Sequence, residues 1–139
     1  MKKLFASIVC LLGVFCSTAQ SLPAEADNFI GTFFSDRAVT GVSDFSAPSE
    51  FAFRVELDSD VTIYFDAAGK WQLVESFSSD ISSILNQKIK AAITEMGNNP
   101  VNVVKIRCDE NEHTTIVTFN DGASHVFSAN GVFLRKVQE

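Results

Sequence analysis

Three side chains could carry nucleophilic or metal chemistry, Cys108, His113 and His125, and three aspartates, Asp58, Asp60 and Asp66, could gather a hard cation. A cysteine nucleophile needs an accessible, electropositive site with a histidine in reach. Alternation along a strand instead puts Val104, Ile106 and Cys108 on the face opposite Lys105, Arg107 and Asp109, so the thiol reads as a small buried hydrophobe. A zinc site would need further ligands at suitable spacing, and the chain offers none. Ser124 and His125 are adjacent, which in a strand sends them to opposite faces, so they form no part of a triad. Calcium would suit the aspartates, but Asp58 and Asp60 fall in one hairpin loop and Asp66 opens the next, at the far end of the strand between them. Turn chemistry accounts for all three. With no glycine-rich phosphate loop either, the chain reads as a non-enzyme with no catalytic residue, metal or cofactor.

The elements that would position such residues begin after a secretory leader. Met1-Lys2-Lys3 is basic, Leu4 to Phe15 is an apolar run too short to span a bilayer, and Ser17-Thr18-Ala19-Gln20 supplies small residues for cleavage. Residues 1–20 are therefore expected to be a signal peptide, with no transmembrane segment once it is removed. The rival is a lipoprotein anchored through Cys16, against which stand Val14 and Phe15 where a lipobox wants small residues. Export to the periplasm, the cell surface or beyond follows in either case. The remaining residues, 21–139, suffice for one compact domain. Without Lys2 and Lys3, nine basic residues face seventeen acidic ones, a net charge of −8 that disfavours nucleic acid and anionic membrane as partners. Cys10 and Cys16 leave with the leader, so Cys108 has no disulfide partner within the chain.

Within that domain the sequence repeats itself 62 residues on. Leu57 to Trp71 and Phe119 to Phe133 align without a gap at their apolar, turn and aromatic positions. Each copy, about 21–76 and 80–139, opens with a helix. The first carries Leu22, Ala26, Phe29, Ile30 and Phe33 on one stripe with Pro23 in the first turn; the second runs from Ile81 to Met96 behind Asp80 or Ser82 as N-cap and stops at Gly97-Asn98-Asn99-Pro100. Strands follow, the first near Val39 to Phe45 and Val101 to Asp109. Three-residue hairpin loops at Asp58-Ser59-Asp60 and Ala67-Ala68-Gly69 would pair Leu57 with Val61, Val55 with Ile63, Phe65 with Trp71 and Ile63 with Leu73. The second copy repeats this through Asn120-Asp121-Gly122 and Ala129-Asn130-Gly131, pairing Phe119 with Ala123 and Phe127 with Phe133. The expected fold is α+β: a tandem repeat of a helix plus a four-stranded antiparallel meander, with the helices on one face of the sheet. Trp71 and Phe133 would sit in equivalent buried sites.

The stretch Leu22-Pro23 to Phe29-Ile30, with Val55-Glu56-Leu57, Ile63 to Trp71 and the degenerate second copy, resembles the β-lactamase-inhibitor-like, PepSY-like family of secreted Bacteroidetes proteins. The resemblance spans essentially the whole mature chain. It implies a tandem fold similar to the β-lactamase inhibitor protein, a periplasmic or outer-surface location and no established enzymatic activity. The second copy departs from the pattern at Leu85-Asn86, which lacks the proline, at Ser128 for Asp66, and at His125 for Ile63.

Function is then expected on the sheet face the helices leave open. Strict alternation places Phe51, Phe53, Val55 and Leu57 inward, and Arg54, Glu56, Thr62, Tyr64, Gln72 and Val74 outward. In the second copy it places Ile116, Val126 and Leu134 side by side outward, flanked by Thr114, Thr118, Ser124 and Lys136, an apolar cluster that would mark a contact surface unless other segments cover it. The interaction face would thus comprise Arg54, Tyr64, Ile116, Val126 and Leu134, taking an unknown protein or envelope component, or a second copy as a homodimer. The alternative role is a protein inhibitor of a secreted hydrolase. His125 is expected inward, between Val117 and Arg135, as a structural rather than catalytic residue with a depressed pKa.

Overall fold

A computed structural model describes residues 22–45 and 50–137, so the leader and the Cys16 alternative lie outside the described residues. The element order is α1 (Ala24–Phe33), β1 (Val39–Asp44), β2 (Phe53–Leu57), β3 (Val61–Phe65), β4 (Trp71–Glu75), α2 (Gln87–Glu95), β5 (Val103–Asp109), β6 (Thr114–Phe119), β7 (Ser124–Ser128) and β8 (Phe133–Lys136). The eight strands form one antiparallel sheet in sequence order. The fold is α+β, as the alternating helix and strand patterns require.

Helix α1 starts at Pro23, whose carbonyl accepts from the Ala26 amide at 3.0 Å, and Glu25 and Asp27 complement the positive end of the helix dipole. Its inward residues are Ala26 and Ile30, with Leu22 and Phe29 packed against the core. Phe33, expected on the buried stripe, is 37 % exposed; Phe34, just past the helix, is buried in its place. The second helix is shorter than its apolar spacing suggests. Asp80 Oδ1 accepts from the Ser82 amide and hydroxyl and starts only a 3₁₀ turn over Ser82–Ile84, after which Leu85 is extended. Asn86 then caps α2 by accepting from the Ile89 amide at 2.9 Å. Serine and asparagine bond their own backbone in non-helical geometries, which breaks what hydrophobicity alone would run together. Ile81, Leu85, Ile89 and Ile93 are buried regardless, while Met96 is 41 % exposed. The helix ends as expected: Gly97 has φ +84°, and the Asn98 amide reaches back to the Ile93 carbonyl at 3.1 Å.

Residues of both helices and of β2 to β7 form one apolar cluster. The hairpins set its register, with Leu57 opposite Val61, Val55 opposite Ile63, Phe65 opposite Trp71 and Phe127 opposite Phe133. The expected pairing of Ile63 with Leu73 does not occur. A bulge after Trp71 makes Gln72 the extra residue, so Tyr64 faces Leu73 and Ile63 faces Val74. Val74, assigned outward by strict alternation, is consequently fully buried in the core. Leu134 is the extra residue at the corresponding place, which sets Arg135 opposite Val126 and Lys136 opposite His125. Further shifts occur between Val39 and Gly41 in β1 and between Val103 and Lys105 in β5, the latter turning Val103 rather than Val104 into the core.

Two turn glycines touch the helices. Gly69 has φ +91°, and a Cβ there would lie 2.7 Å from Pro23 Cβ and 3.1 Å from the Ala26 nitrogen; Gly131 has φ +82°, and a Cβ would lie 2.7 Å from the Lys88 carbonyl carbon and oxygen. Trp71, following the first turn, is half-buried and stacks on Phe29 with ring centroids 5.7 Å apart. Phe133, following the second, is 41 % exposed instead of matching it, because β8 is the sheet's edge strand. Gly131→Ala is expected to cost about 2–4 kcal/mol, combining the left-handed backbone penalty with a clash against helix backbone. Gly97→Ala, whose added Cβ meets nothing within 4 Å, should cost only about 1 kcal/mol. Urea denaturation of the two variants checks the difference, and equal costs would count against the close contact at Gly131.

Candidate functional site

The open side of the sheet carries its exposed aromatic character in the first half. Tyr64 on β3 lies 5.0 Å from Phe51 and 6.3 Å from Phe45, ring centroid to ring centroid, and Phe45 and Phe51 are 6.3 Å apart. Phe51 was expected inward with Phe53. It precedes β2, where the chain no longer alternates, and it crosses to the Tyr64 side. Arg107 on β5 sits opposite Leu73 and places its guanidinium carbon 5.8 Å from the Phe51 ring centroid, while both Glu50 oxygens accept from its Nη2 at 2.7 Å. Arg54 pairs with Glu56 at 2.6 Å and hydrogen bonds to Tyr64, which raises its pKa first, with Glu56 adding less. The result is a platform of three rings edged by two guanidiniums, each held by a carboxylate, with Phe45 41 % exposed.

The second half departs from the expected apolar patch. Ile116 and Val126 do face each other across β6 and β7, but Val126 is fully buried, and Thr114 and Ser124 beside them are buried too. Thr118 and Ser124 share a 2.7 Å hydroxyl hydrogen bond. The bulge takes Leu134 out of line with Val126 and leaves it 47 % exposed on the edge strand. Lys136, assigned outward, lies instead opposite His125. Of the five residues expected on one interaction face, Arg54 and Tyr64 stand together, whereas Ile116, Val126 and Leu134 do not form a contiguous exposed patch. Arg107, Phe45 and Phe51 belong with Tyr64, and only their aromatic and cationic character, with Phe45 just after β1 and Phe51 just before β2, could have signalled it.

Cys108 and His113 line one hollow of about 350 Å³ with Lys70, Glu110 and Thr115, and His125 is not part of it. Cys108 is half-buried rather than fully buried. Burial, and then the Glu110 carboxylate, push its pKa up, so the thiol is protonated and a poor nucleophile. Lys70 bridges Glu110 at 2.9 Å, and that hydrogen bond lowers the Glu110 pKa. Among the described residues no cluster of three His, Cys, Asp or Glu side chains could hold a metal. Asp66 spends Oδ1 on the Ala68 and Lys70 amides, which is turn chemistry, whereas Asp60 spends Oδ2 outside its own loop, on the Phe77 amide and Ser78 hydroxyl.

His125 lies inward between Val117 and Lys136, with Lys136 in the place expected for Arg135. The rings of Phe119 and Phe133 are each 5.3 Å from its own, and its Nδ1 is buried without a hydrogen-bond partner. Desolvation, then Lys136, lower its pKa, against a smaller opposing pull from Asp121.

No protein-family profile and no curated protein matches this chain. Solved structures do. A "putative periplasmic protein of unknown function" from Bacteroides vulgatus superposes with a TM-score of 0.68 at 22 % identity, over 85 % of this chain and 93 % of that one. A "putative calcium-regulated periplasmic protein" from Bacteroides thetaiotaomicron gives 0.66 at 24 %, over 85 % and 91 %. The chain shares their fold. A BLIP-like protein from Bacteroides fragilis reaches only 0.35 at 17 % identity, over 88 % and 90 %, too loose to argue a common fold.

Two outcomes follow from the second half. Val126→Lys should destabilise by about 3 kcal/mol or more, since it buries an unpaired charge, and loss of the cooperative melt would register it; a variant as stable as wild type would restore the exposed-patch assignment. For His125, a lowered folded pKa means the unfolded chain takes the proton first. Its contribution is intact above the unfolded value of about 6.5 and is lost as pH falls from there through the folded value. His125→Ile should therefore flatten the decline in melting temperature between pH 8 and 5, and an unchanged slope, or an NMR titration showing a raised pKa, would count against it.

Proposed function

We propose that this chain is an exported, non-enzymatic binding protein of the periplasm or cell surface, built from two tandem PepSY-like, β-lactamase-inhibitor-like copies, that engages a protein or envelope component through the open sheet face of its first half. The observation that carries this reading is the Phe45, Phe51 and Tyr64 platform with Arg54 and Arg107 at its edge. Aromatic and arginine side chains held in place by neighbours are the residues that dominate binding energy at interfaces, because little ordering entropy remains to be lost. The location rests on the basic-apolar-small leader and on the periplasmic descriptions of two structural neighbours. The duplication rests on matched features 62 residues apart: bulges at Gln72 and Leu134, and turns at Gly69 and Gly131 that meet Ala26 and Lys88. Calcium regulation, which the Bacteroides thetaiotaomicron description names, is not carried over, because Asp66 holds its own turn and Asp60 holds the Phe77 amide.

Pull-down from cell-envelope extracts with the immobilised mature chain, followed by affinity measurement on the captured component, tests the face. Tyr64→Ala combined with Phe45→Ser should raise the dissociation constant at least about tenfold while leaving the far-ultraviolet spectrum unchanged. Capture that is indifferent to these changes would move the binding surface elsewhere, and turnover of a captured substrate would end the non-enzymatic reading.

A further inference from the structure

Phe77 is 80 % exposed, the most exposed of the large apolar side chains among the described residues, yet its loop is firmly held. Asp60 Oδ2 accepts from the Phe77 amide at 3.1 Å and from the Ser78 hydroxyl at 3.3 Å. The Ser79 hydroxyl donates to the Ser59 carbonyl at 2.6 Å, and the Ser79 amide donates to Ser76 Oγ at 3.0 Å, with Ser76 itself buried. The receiving hairpin loop adopts positive φ at Ser59 and Asp60, +61° and +71°, conformations that cost energy for non-glycine residues and persist only where their surroundings hold them. Four hydrogen bonds thus hold the loop that carries an apolar ring out in water.

Beside this ring lies a hollow of about 280 Å³, lined by Glu75, Phe77, Val104, Lys105, Thr118 and Phe119, among others. Its lining is mostly apolar, and Glu75 and Lys105 face each other across β4 and β5 at its rim. A projecting ring and a hollow that could receive one therefore share a single patch, together with one charge of each sign. Such a patch is complementary to itself, which is the condition for a two-fold interface in which residue i meets j and j meets i. The geometry points to a homodimer in which Phe77 of each copy seats in the hollow of the other, with Glu75 of one copy meeting Lys105 of the second. The occupant is a second copy rather than an unrelated protein because the knob, the hole and both charges are all supplied by this chain. This surface lies two residues further along the strands than the Tyr64, Leu73 and Arg107 row and on the same face, so a second copy seated there would adjoin the platform.

Sedimentation equilibrium of the purified mature chain tests it without any extract, so its failure is separable from failure of the platform. Association should appear as an apparent mass that rises with concentration below about 1 mM. Phe77→Ala, at an exposed position that leaves the fold intact, should weaken association at least about tenfold. Glu75→Lys and Lys105→Glu should each weaken it by placing like charges together, and the double exchange should recover much of the loss. A wild-type chain that stays monomeric to about 1 mM would overturn the proposal. So would a Phe77→Ala variant that associates like wild type, or a double exchange weaker than either single change.

Discussion

The constraint on which the rest of this molecule depends is how closely two short helices can lie on one sheet. Helices of ten and nine residues are too short to persist alone, so they exist because the sheet offers them an apolar face. The contact is made at two turns where the chain has no side chain. Gly69 admits Pro23 and Ala26, and Gly131 admits the backbone of Lys88. Both glycines also supply the left-handed step that closes a type I turn into a bulged hairpin, with their amides on the carbonyls of Asp66 and Ser128. One residue thus serves the hairpin and the helix docking together, and Asn86 reinforces the second site by donating to the Ala129 carbonyl at 3.2 Å while capping α2.

Ala26, Ile30, Ile89 and Ile93 of the helices share one apolar cluster with strand residues such as Val55, Ile63, Ile106 and Val117, and the charged side chains lie outside it. Three of the cations there are already paired. Arg107 is held by Glu50, Arg54 by Glu56, and Lys70 by Glu110. Surface pairs of this kind contribute little stability but restrict where a guanidinium can point.

Much of this was legible because hairpin loops and apolar spacing encode register locally. The three-residue loops identified the partners of Leu57, Phe65, Phe119 and Phe127, and Gly97 identified the end of α2. The illegible part has a common cause. A bulge adds one residue to one strand without a change in hydrophobicity, so counting by twos from Trp71 sends Val74 outward and counting from Phe133 sends Lys136 outward, when both lie inward. Phe51 failed for a related reason, since alternation holds only within a strand and this residue stands before one. The long second helix failed because apolar spacing continues through Ser82 to Leu85 while the backbone does not.

The two halves also differ where a binding surface would diverge. Counting 62 residues on, Arg54 corresponds to Ile116, Tyr64 to Val126 and Glu56 to Thr118. In the first half these positions carry a guanidinium, a phenol and a carboxylate that contact one another at the surface. In the second they carry two aliphatic side chains and a hydroxyl, and Val126 has left solvent altogether. Burying an apolar side chain is favourable by roughly 25 cal/mol per Å², so the second half gains stability from positions the first half leaves polar. The helix contacts at Gly69 and Gly131 are made with Pro23, Ala26 and Lys88 and involve none of these side chains, so they are indifferent to the exchange.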